Sequence, residues 1–392
     1  MQLQLIAEEL NILSYPDALN NVINHEDQQN IADINWLSDL ESEYNVLGEY
    51  FPLVCEAATE LQNSEALLSW GMIVSNYLSS CTVPEACQIP MPKRDGTIAR
   101  DFLPLLILLT QLPTGVTEYR HRGMPEDMIR RNLFHFVDGI SIVKRKTDRP
   151  AIDQTYFNWL VKFVKAKIFN AHGFNFELRT LPDNVCVLQN KHSKTIHPVL
   201  IDTNMHRTGR VLSTAGYTDE EYSFKTVFSE TADEFLAHPC INGLVSSAPA
   251  SFPKADYHIA VRPGDSVLSV HIPRGTDISA ENASVSLSAG FKDAQVFYPE
   301  LDIKALYCYS WLLDPALKGL LKPGSHIPQF GNIFTRFPAK SAGKEIFSFV
   351  FPRVMPLEDL PETTSLERAL KKHYLNGNFI HAYAGIVLPE AL

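Results

Sequence analysis

The most constraining feature of the sequence is a pair of apolar strands separated by a long helical segment. DSVLSVHIP (265–273) and IKALYCYSW (303–311) read as strands, and SAENASVSLSAGFKDAQVFY (279–298) between them reads as a helix. Strands joined by a crossover helix are expected to be parallel neighbours in one sheet. The sequence therefore predicts an α/β core here, with His271 and residues 308–310 at the same end of the sheet.

The chain before residue 170 is instead helical in character. PEDMIRRNLFHFVDGISIVKRK (125–146) and DQTYFNWLVKFVKAKIF (153–169) each carry an apolar stripe at steps of three and four residues, which is typical of amphipathic helices. After residue 170, short apolar runs bounded by Pro, Asn, Asp and Gly predict strands. These further strands are expected at 174–181, 184–190, 197–204, 332–338, 345–352 and 378–389. A helix is expected at 364–377, capped by Thr364 or Ser365 and stopped by Gly377.

Length, charge and cysteine usage limit the class of protein. A chain of 392 residues is longer than one hydrophobic core usually fills, so two domains are expected. A formal net charge of -11 argues against a nucleic acid or an anionic membrane as partner. The apolar run FLPLLILL (102–109) is too short to span a bilayer. Six scattered cysteines without a C-x-x-C pair, and a start that lacks signal-peptide features, predict a soluble cytoplasmic protein with reduced thiols.

Three longer motifs carry a resemblance to a known family. They are LAHPCINGLVSSAP (236–249), VRPGDSVLSVHIPRGTDIS (261–279) and CYSWLLDPALKGLLKPGSHIPQF (308–330). They resemble a family of bacterial acyltransferases in which a helical N-acyltransferase N-terminal domain precedes a GNAT-like C-terminal domain. The resemblance covers most of the chain from about residue 115. It implies an α+β protein: a helical domain over residues 1–150 and a GNAT-like α/β domain with a mixed, partly parallel sheet over residues 151–392.

The resemblance also implies acyl-CoA as a co-substrate, with no tightly bound cofactor. In GNAT-like domains two parallel strands splay apart and admit the thioester, and a glycine-rich loop holds the pyrophosphate. Here that loop is reduced to PRGTDIS (273–279), in which Gly275 is the single glycine. Arg274, Gly275 and Thr276, together with the helix start, would form the pyrophosphate site. Asp277 has the wrong charge for a phosphate, so a simple strand-to-helix turn is the alternative.

The candidate catalytic residues lie at the ends of the two strands. His271 would be the base that takes a proton from an attacking amine, since imidazole titrates near neutral pH. Tyr309 or Ser310 would be the acid that protonates the departing CoA thiolate. Cys308 and Asp314 are expected to contact substrate, although Asp314 before Pro315 also fits a helix N-cap.

The proposed reaction is direct transfer of an acyl group from acyl-CoA, or an acyl-carrier thioester, to an amine. Two alternatives stay open: a non-catalytic ligand- or partner-binding protein on a degenerate GNAT scaffold, and a thioester or amide hydrolase that uses Cys308 and His271. We predict no metal, because His192, His197 and His206 match no common zinc spacing. The expected partners are a small-molecule acyl donor and an amine acceptor, with no nucleic acid and no membrane.

Overall fold

The computed structural model describes residues 3–22, 31–218, 223–351, 353 and 355–392. The chain divides into two compact units, Met1–Asn170 and Ala171–Leu392. This division falls after the helix Gln154–Val164, because that helix packs against helices of the first unit. The predicted architecture, a helical region followed by an α/β region with a mixed sheet, is confirmed.

The first unit is built from helices. They are α1 Leu3–Glu9, α2 Ile34–Tyr44, α3 Phe51–Leu61, α4 Glu65–Ser80, α5 Val83–Ala86, α6 Ile98–Leu109, α7 Leu112–His121, α8 Glu126–Thr147 and α9 Gln154–Val164. The stripe predicted for α8 is confirmed, since Ile129, Leu133, Phe136, Ile140 and Val143 are all buried. The apolar run 102–109 lies within α6, whose last turns are buried on every side. Across the described ranges, no helix has both the length and the apolarity that a membrane crossing needs.

The predicted helix 153–169 is correct only in its first part. The helix α9 ends at Val164, Ala166 has a left-handed backbone with φ of 48°, and Ile168–Ala171 forms a strand, β1. Ile168 is buried in this strand, as it would have been on the helix stripe. A buried apolar residue fits both periodicities over so few positions, so the pattern did not locate the end of the helix.

The second unit contains most of the strands. They are β2 Phe174–Thr180, β3 Val185–Asn190, β4 Ile196–Leu200, β5 Asn204–His206, β6 Ser223–Lys225, β7 Phe228–Glu230, β8 Glu234–Ala237, β9 Cys240–Ile241, β10 Leu244–Val245, β11 Ala250–Pro253, β12 Tyr257–Val261, β13 Ser266–His271, β14 Ala305–Ser310, β15 Thr335–Pro338 and β16 Tyr383–Val387. Its helices are α10 Ala280–Phe297, α11 Leu317–Leu320, α12 His326–Gly331, α13 Phe347–Val350 and α14 Ser365–Leu375. The short strands β6 to β12 were not predicted from the sequence.

The main sheet has the strand order β1-β2-β13-β14-β16-β15. The strands β13 and β14 are parallel, joined by the crossover helix α10, as the sequence predicted. The strands β2 and β16 flank this pair and are antiparallel to it, and β15 is antiparallel to β16. The sheet is therefore mixed, with one parallel pair at its centre.

The strand predicted at 345–352 is wrong. Residues 347–350 form the helical turn α13, and Pro352 lies outside the described residues. The turn begins where the Glu345 carboxylate accepts hydrogen bonds from the Ser341 hydroxyl and from the backbone N–H groups of Ala342 and Lys344. These local bonds fold the segment back on itself, and they compete with an extended conformation.

The two faces of the main sheet have different coverings. On one face, Phe176 of β2 lies under α10, and a Cβ added at Gly290 would be 2.1 Å from its ring. On the other face, Val267, Ala305 and Ile386 belong to a buried cluster that includes Val187 of β3. The polar residues described next lie on this second face, beyond the end of its apolar cluster.

Candidate functional site

The backbone pairing between β13 and β14 stops before either strand ends. The register between β13 and β14 runs from Val267–Ala305 to Ser269–Tyr307 and stops there. The strand β13 continues to pair with β2 as far as His271, and β14 continues to pair with β16 as far as Ser310. The carboxyl ends of the two strands are therefore not paired with each other. We call this unpaired end, beyond Ser269 and Tyr307, the β13–β14 gap.

His271 stands at this gap and is bound to a buried carboxylate. Its Nε2 lies 2.7 Å from Oε2 of Glu177 on the neighbouring strand β2. The His271 side chain is 31% exposed and the Glu177 side chain is 7% exposed. Arg179, two residues further along β2, places its Nε 4.0 Å from the other Glu177 oxygen. The imidazole thus reaches solvent while its partner does not.

Tyr309 is the predicted acid that shares a face with His271. Ser269 and Tyr307 are in register, so alternation puts His271 and Tyr309 on the same side of the sheet. The phenol is 43% exposed and donates a hydrogen bond of 3.0 Å to the backbone oxygen of Lys340. Burial, with a smaller contribution from the charge of Glu345, raises the pKa of Tyr309 to about 12. The phenol is therefore protonated at neutral pH.

Ser310 and Cys308 point to the opposite face. The Ser310 hydroxyl accepts a hydrogen bond of 3.2 Å from the N–H of Leu312 and caps the short turn Trp311–Leu313. The Cys308 side chain is fully buried, and burial raises the pKa of its thiol to about 12. The structure does not bring Cys308 and His271 onto one side of the sheet. This arrangement offers neither the base nor the access that a nucleophilic thiolate requires.

Asp314, the other predicted substrate contact, is engaged by the backbone. Its side chain has no solvent exposure, and its two oxygens accept hydrogen bonds from the N–H groups of Ala316 (2.9 Å) and His381 (2.7 Å). The helix α11 starts at Leu317 with Ala316 as its N-cap residue, so the bond from Ala316 forms a turn just before the helix. These contacts fix the corner after β14 to the start of β16.

The predicted pyrophosphate segment forms a tight turn between β13 and α10. Arg274 is exposed at its tip, and Gly275 has a left-handed φ of 86° with open space where a Cβ would be. The Thr276 hydroxyl donates a hydrogen bond of 2.8 Å to the backbone oxygen of Gly173. Thr276 thus anchors the turn to the β1–β2 hairpin, while Arg274 and Gly275 are the parts open to a ligand.

The Asp277 side chain binds a backbone N–H group just before the helix α10. Its carboxylate accepts a hydrogen bond of 2.9 Å from the N–H of Ser279, and its backbone oxygen accepts one of 2.7 Å from the Asn282 side chain. These bonds to Ser279, with a smaller effect of nearby His326, lower the pKa of Asp277. A carboxylate therefore sits where a helix N-terminus would otherwise attract a phosphate.

Glu177 is the site residue that the sequence analysis missed. It is the single acidic residue of FNFELRTL, in which Asn175, Glu177 and Arg179 alternate with apolar residues, and this was the available signal. A buried carboxylate is costly unless it is paired, so such a residue indicates a partner nearby. The partner, His271, is 94 residues away in sequence, and only the register between β2 and β13 brings the two together.

The described ranges contain no group of three or more His, Cys, Asp or Glu side chains arranged to hold a metal ion. Of the three histidines considered for one, His192 is exposed and lies 3.5 Å from Asp256. His197 packs between the rings of Phe252 and Tyr257. His206 binds the Thr208 hydroxyl through Nδ1.

Comparison with protein families gives one match. The model of the family described as GNAT-like C-terminal domain matches residues 178–387, which include β13, β14 and the gap between them. No curated protein matches the chain.

Comparison with solved structures finds the same fold over the whole chain. An acyltransferase mutant in complex with octanoyl-CoA has a TM-score of 0.69 at 16% identity, with 99% of each chain covered. An acyltransferase in complex with decanoyl-CoA and teicoplanin has a TM-score of 0.68 at 16% identity, again with 99% of each chain covered. An acyltransferase in complex with CoA and 10C-Teicoplanin has a TM-score of 0.69 at 16% identity, with 99% of each chain covered. At these identities the likeness establishes a shared fold.

Proposed function

The chain belongs to the GNAT-like C-terminal domain family, and from that premise we propose that it transfers an acyl group from acyl-CoA to an amine by direct attack. The observation that carries the proposal is the β13–β14 gap with His271 at its edge. A gap at the carboxyl ends of parallel strands is where open α/β sheets accept their ligands. The thioester would enter this gap, and the amine would approach from the face that carries His271 and Tyr309.

In the proposed reaction, the amine nitrogen attacks the thioester carbonyl carbon while His271 takes the proton that the nitrogen loses. The new C–N bond forms, and backbone N–H groups at the gap stabilise the negative charge on the carbonyl oxygen. The C–S bond then breaks and CoA leaves as a thiolate. Tyr309, which is protonated at neutral pH, supplies the proton to the thiolate sulfur and recovers one from solvent. Holding both substrates in one gap accounts for much of the rate enhancement.

The donor would be held by Arg274 and Gly275 with the start of α10. The guanidinium would contact the pyrophosphate, and the open space at Gly275 permits close approach of a phosphate oxygen. Two of the similar structures hold octanoyl-CoA and decanoyl-CoA, so medium-chain acyl-CoA is the first donor class to test. An acyl-carrier thioester is the second. Among amines, teicoplanin belongs in the test panel because it is present in one of these complexes.

The proposal is tested with two measurements on the full chain. Thermal unfolding is followed with CoA, acetyl-CoA, octanoyl-CoA and decanoyl-CoA, and we expect the midpoint to rise with at least one of them. CoA release is then followed with the stabilising donor and a panel of amines. Release that depends on an amine supports transfer. No stabilisation by any of these ligands, and no release, would overturn the proposal.

One observation favours a second function, a non-catalytic binding protein on the same scaffold. The Asp277 carboxylate already accepts the N–H of Ser279, and Gly275 is the single glycine of the turn. The variant Asp277→Asn distinguishes the two functions. If acyl-CoA binds the wild type and amine-dependent turnover occurs, the enzyme proposal stands. If the ligand binds and no amine is acylated in the wild type or in Asp277→Asn, the binding function is favoured. The buried Cys308, on the face opposite to His271, lends no support to a hydrolase.

A further inference from the structure

Glu177 is a buried carboxylate that the proposed reaction has not yet used. It lies in the middle of β2, in register with Ser269, and reaches diagonally across to His271 on β13. Its side chain is 7% exposed. Burying a carboxylate costs free energy unless it is paired, so the position is best explained by what the carboxylate binds.

The bond to His271 has a definite chemical direction. An ionised carboxylate only accepts hydrogen bonds, so the Nε2 atom of His271 must carry the hydrogen in this contact. In the neutral imidazole the lone pair is then on Nδ1. The Glu177 contact therefore selects one of the two tautomers and fixes the ring plane, and it makes Nδ1 the atom that accepts a proton.

We propose that Glu177 is the positioning residue of the reaction, holding His271 in the Nε2–H tautomer with Nδ1 directed to the acceptor amine. This inference rests on the proposed function, since it assigns the way in which His271 acts as base. The proton lost by the amine moves to Nδ1 and gives an imidazolium, which the Glu177 carboxylate stabilises across the 2.7 Å contact. The proton stays on the imidazole and passes to solvent after CoA has left, so Glu177 is not protonated at any step.

The contact also accounts for the exposure of the two side chains. His271 is partly exposed, at 31%, as a group that meets substrate must be, whereas Glu177 is behind it at 7%. Arg179 lies on the far side of the carboxylate, with its Nε 4.0 Å from Oε1. Its positive charge favours the ionised form of Glu177, which is the form that accepts the bond from Nε2.

The test is Glu177→Gln, which keeps the size of the side chain and removes its charge. The amide can present its NH₂ group to the imidazole and so permits the wrong tautomer. We expect kcat to fall about 10- to 1,000-fold, a part of the about 10²- to 10⁴-fold that a general base contributes, while KM for both substrates stays within about twofold. Selective ¹⁵N labelling of histidine reports the tautomer, with the His271 signals assigned by their loss in His271→Ala. We expect Nε2–H in the wild type and a population of Nδ1–H in Glu177→Gln.

The matched control is Asp293→Asn. His172 Nε2 lies 2.9 Å from Oδ2 of Asp293, so the same chemical pair occurs in this unit at a place where the reaction does not need it. We expect kcat to stay within about twofold there, as for most surface pairs. If Glu177→Gln does not fold, Glu177→Asp retains the charge but withdraws it by one methylene, and an intermediate kcat is expected.

The outcomes separate this inference from the proposed function. A folded Glu177→Gln with unchanged kcat, or an unchanged His271 tautomer, overturns the positioning role. If the wild type transfers no acyl group at all, the proposed function fails, and the ¹⁵N measurement still decides whether Glu177 fixes the tautomer of His271.

Discussion

The two ends of the β13–β14 pair have opposite properties, although the same strands form both. At the amino ends, Val267 and Ala305 are in register and belong to the buried apolar cluster of the sheet. At the carboxyl ends, the ladder between the strands has stopped, and His271 and Tyr309 are partly exposed. The closed end stabilises the fold. The open end offers two polar groups, of which His271 is held by Glu177 on β2 and Tyr309 by a backbone oxygen just after β15. Mutations at the two ends should therefore separate stability from activity.

The largest effect is expected at the open end, on activity. His271→Ala removes the proposed base, and we expect turnover to fall about 10²- to 10⁴-fold. The free energy of unfolding should also fall, by about 1–3 kcal/mol, because the buried Glu177 carboxylate loses its imidazole partner. CoA release and urea unfolding measure the two quantities.

The control for this experiment is His192→Ala, which changes a histidine whose side chain is 77% exposed and which lies after β3, outside the main sheet. Turnover should stay at the wild-type level in that variant. If His271→Ala retained full turnover, the open end would not be the reaction site.

The opposite behaviour is expected at the closed end. Leu306 is fully buried in β14, and Leu306→Ala should lower the free energy of unfolding by about 2–5 kcal/mol. Molecules that remain folded should retain kcat, because the side chain lies on the face away from His271. Val285→Ala, at a position on α10 that is 65% exposed, is the control and should change stability by less than about 0.5 kcal/mol. A stable Leu306→Ala that lost kcat would contradict the separation of the two ends.

A smaller effect on stability is expected at the contact between α10 and the main sheet. A Cβ at Gly290 would be 2.1 Å from the Phe176 ring, so Gly290→Ala must displace that ring and should cost about 1–3 kcal/mol. Gly319→Ala is the matched control, since Gly319 lies in the helix α11 and its added Cβ meets nothing within 4 Å. That exchange should be neutral or stabilising by up to about 1 kcal/mol. Thermal unfolding of both variants checks the difference, and equal midpoints would show that α10 does not pack on Phe176 as described.

A further effect concerns pH, and it is absent at neutral pH. Burial raises the pKa of Cys308 to about 12, above the value near 9 of an exposed thiol. The native state therefore holds this proton more tightly than the unfolded state does, so its contribution to stability is complete below pH 9 and is lost as the pH rises from about 9 to about 12. A thiol reagent at pH 8 should leave Cys308 unmodified in the native protein, as checked by mass spectrometry of the peptides. Rapid modification of Cys308 in the native protein would instead favour the hydrolase alternative.

The sequence was sufficient for the closed end and insufficient for the open end, for physical reasons. Two apolar runs around an amphipathic helix allow few arrangements, so the parallel pair could be predicted. The chain around His271 gives no sign of Glu177, because the contact depends on the register of β2 against β13, and register is a tertiary property. His271 was proposed from its place at a strand end, whereas Glu177 lies in a strand where polar and apolar residues alternate, a pattern that predicts an exposed polar face.

Errors in element type have a similar origin. The run 345–352 is rich in Ile, Val and Phe, which are typical of strands, yet the side-chain bonds of Glu345 favour the turn α13. By contrast, the helix α14 was predicted with a cap at Thr364 or Ser365, and Thr364 forms a capping box with Glu367 within four residues. Local chemistry can be read from sequence when its partners are adjacent, and the competing bonds of Ser341 and Glu345 were not recognised as such.

The most direct test of the central claim is the position of a bound thioester. A crystal structure of the full chain with a non-hydrolysable analogue of decanoyl-CoA would locate the carbonyl group. We predict that the carbonyl lies in the β13–β14 gap, beyond Ser269 and Tyr307, with the pyrophosphate at Arg274 and Gly275. Density for the analogue at any other place, with the gap closed by protein side chains, would contradict the account.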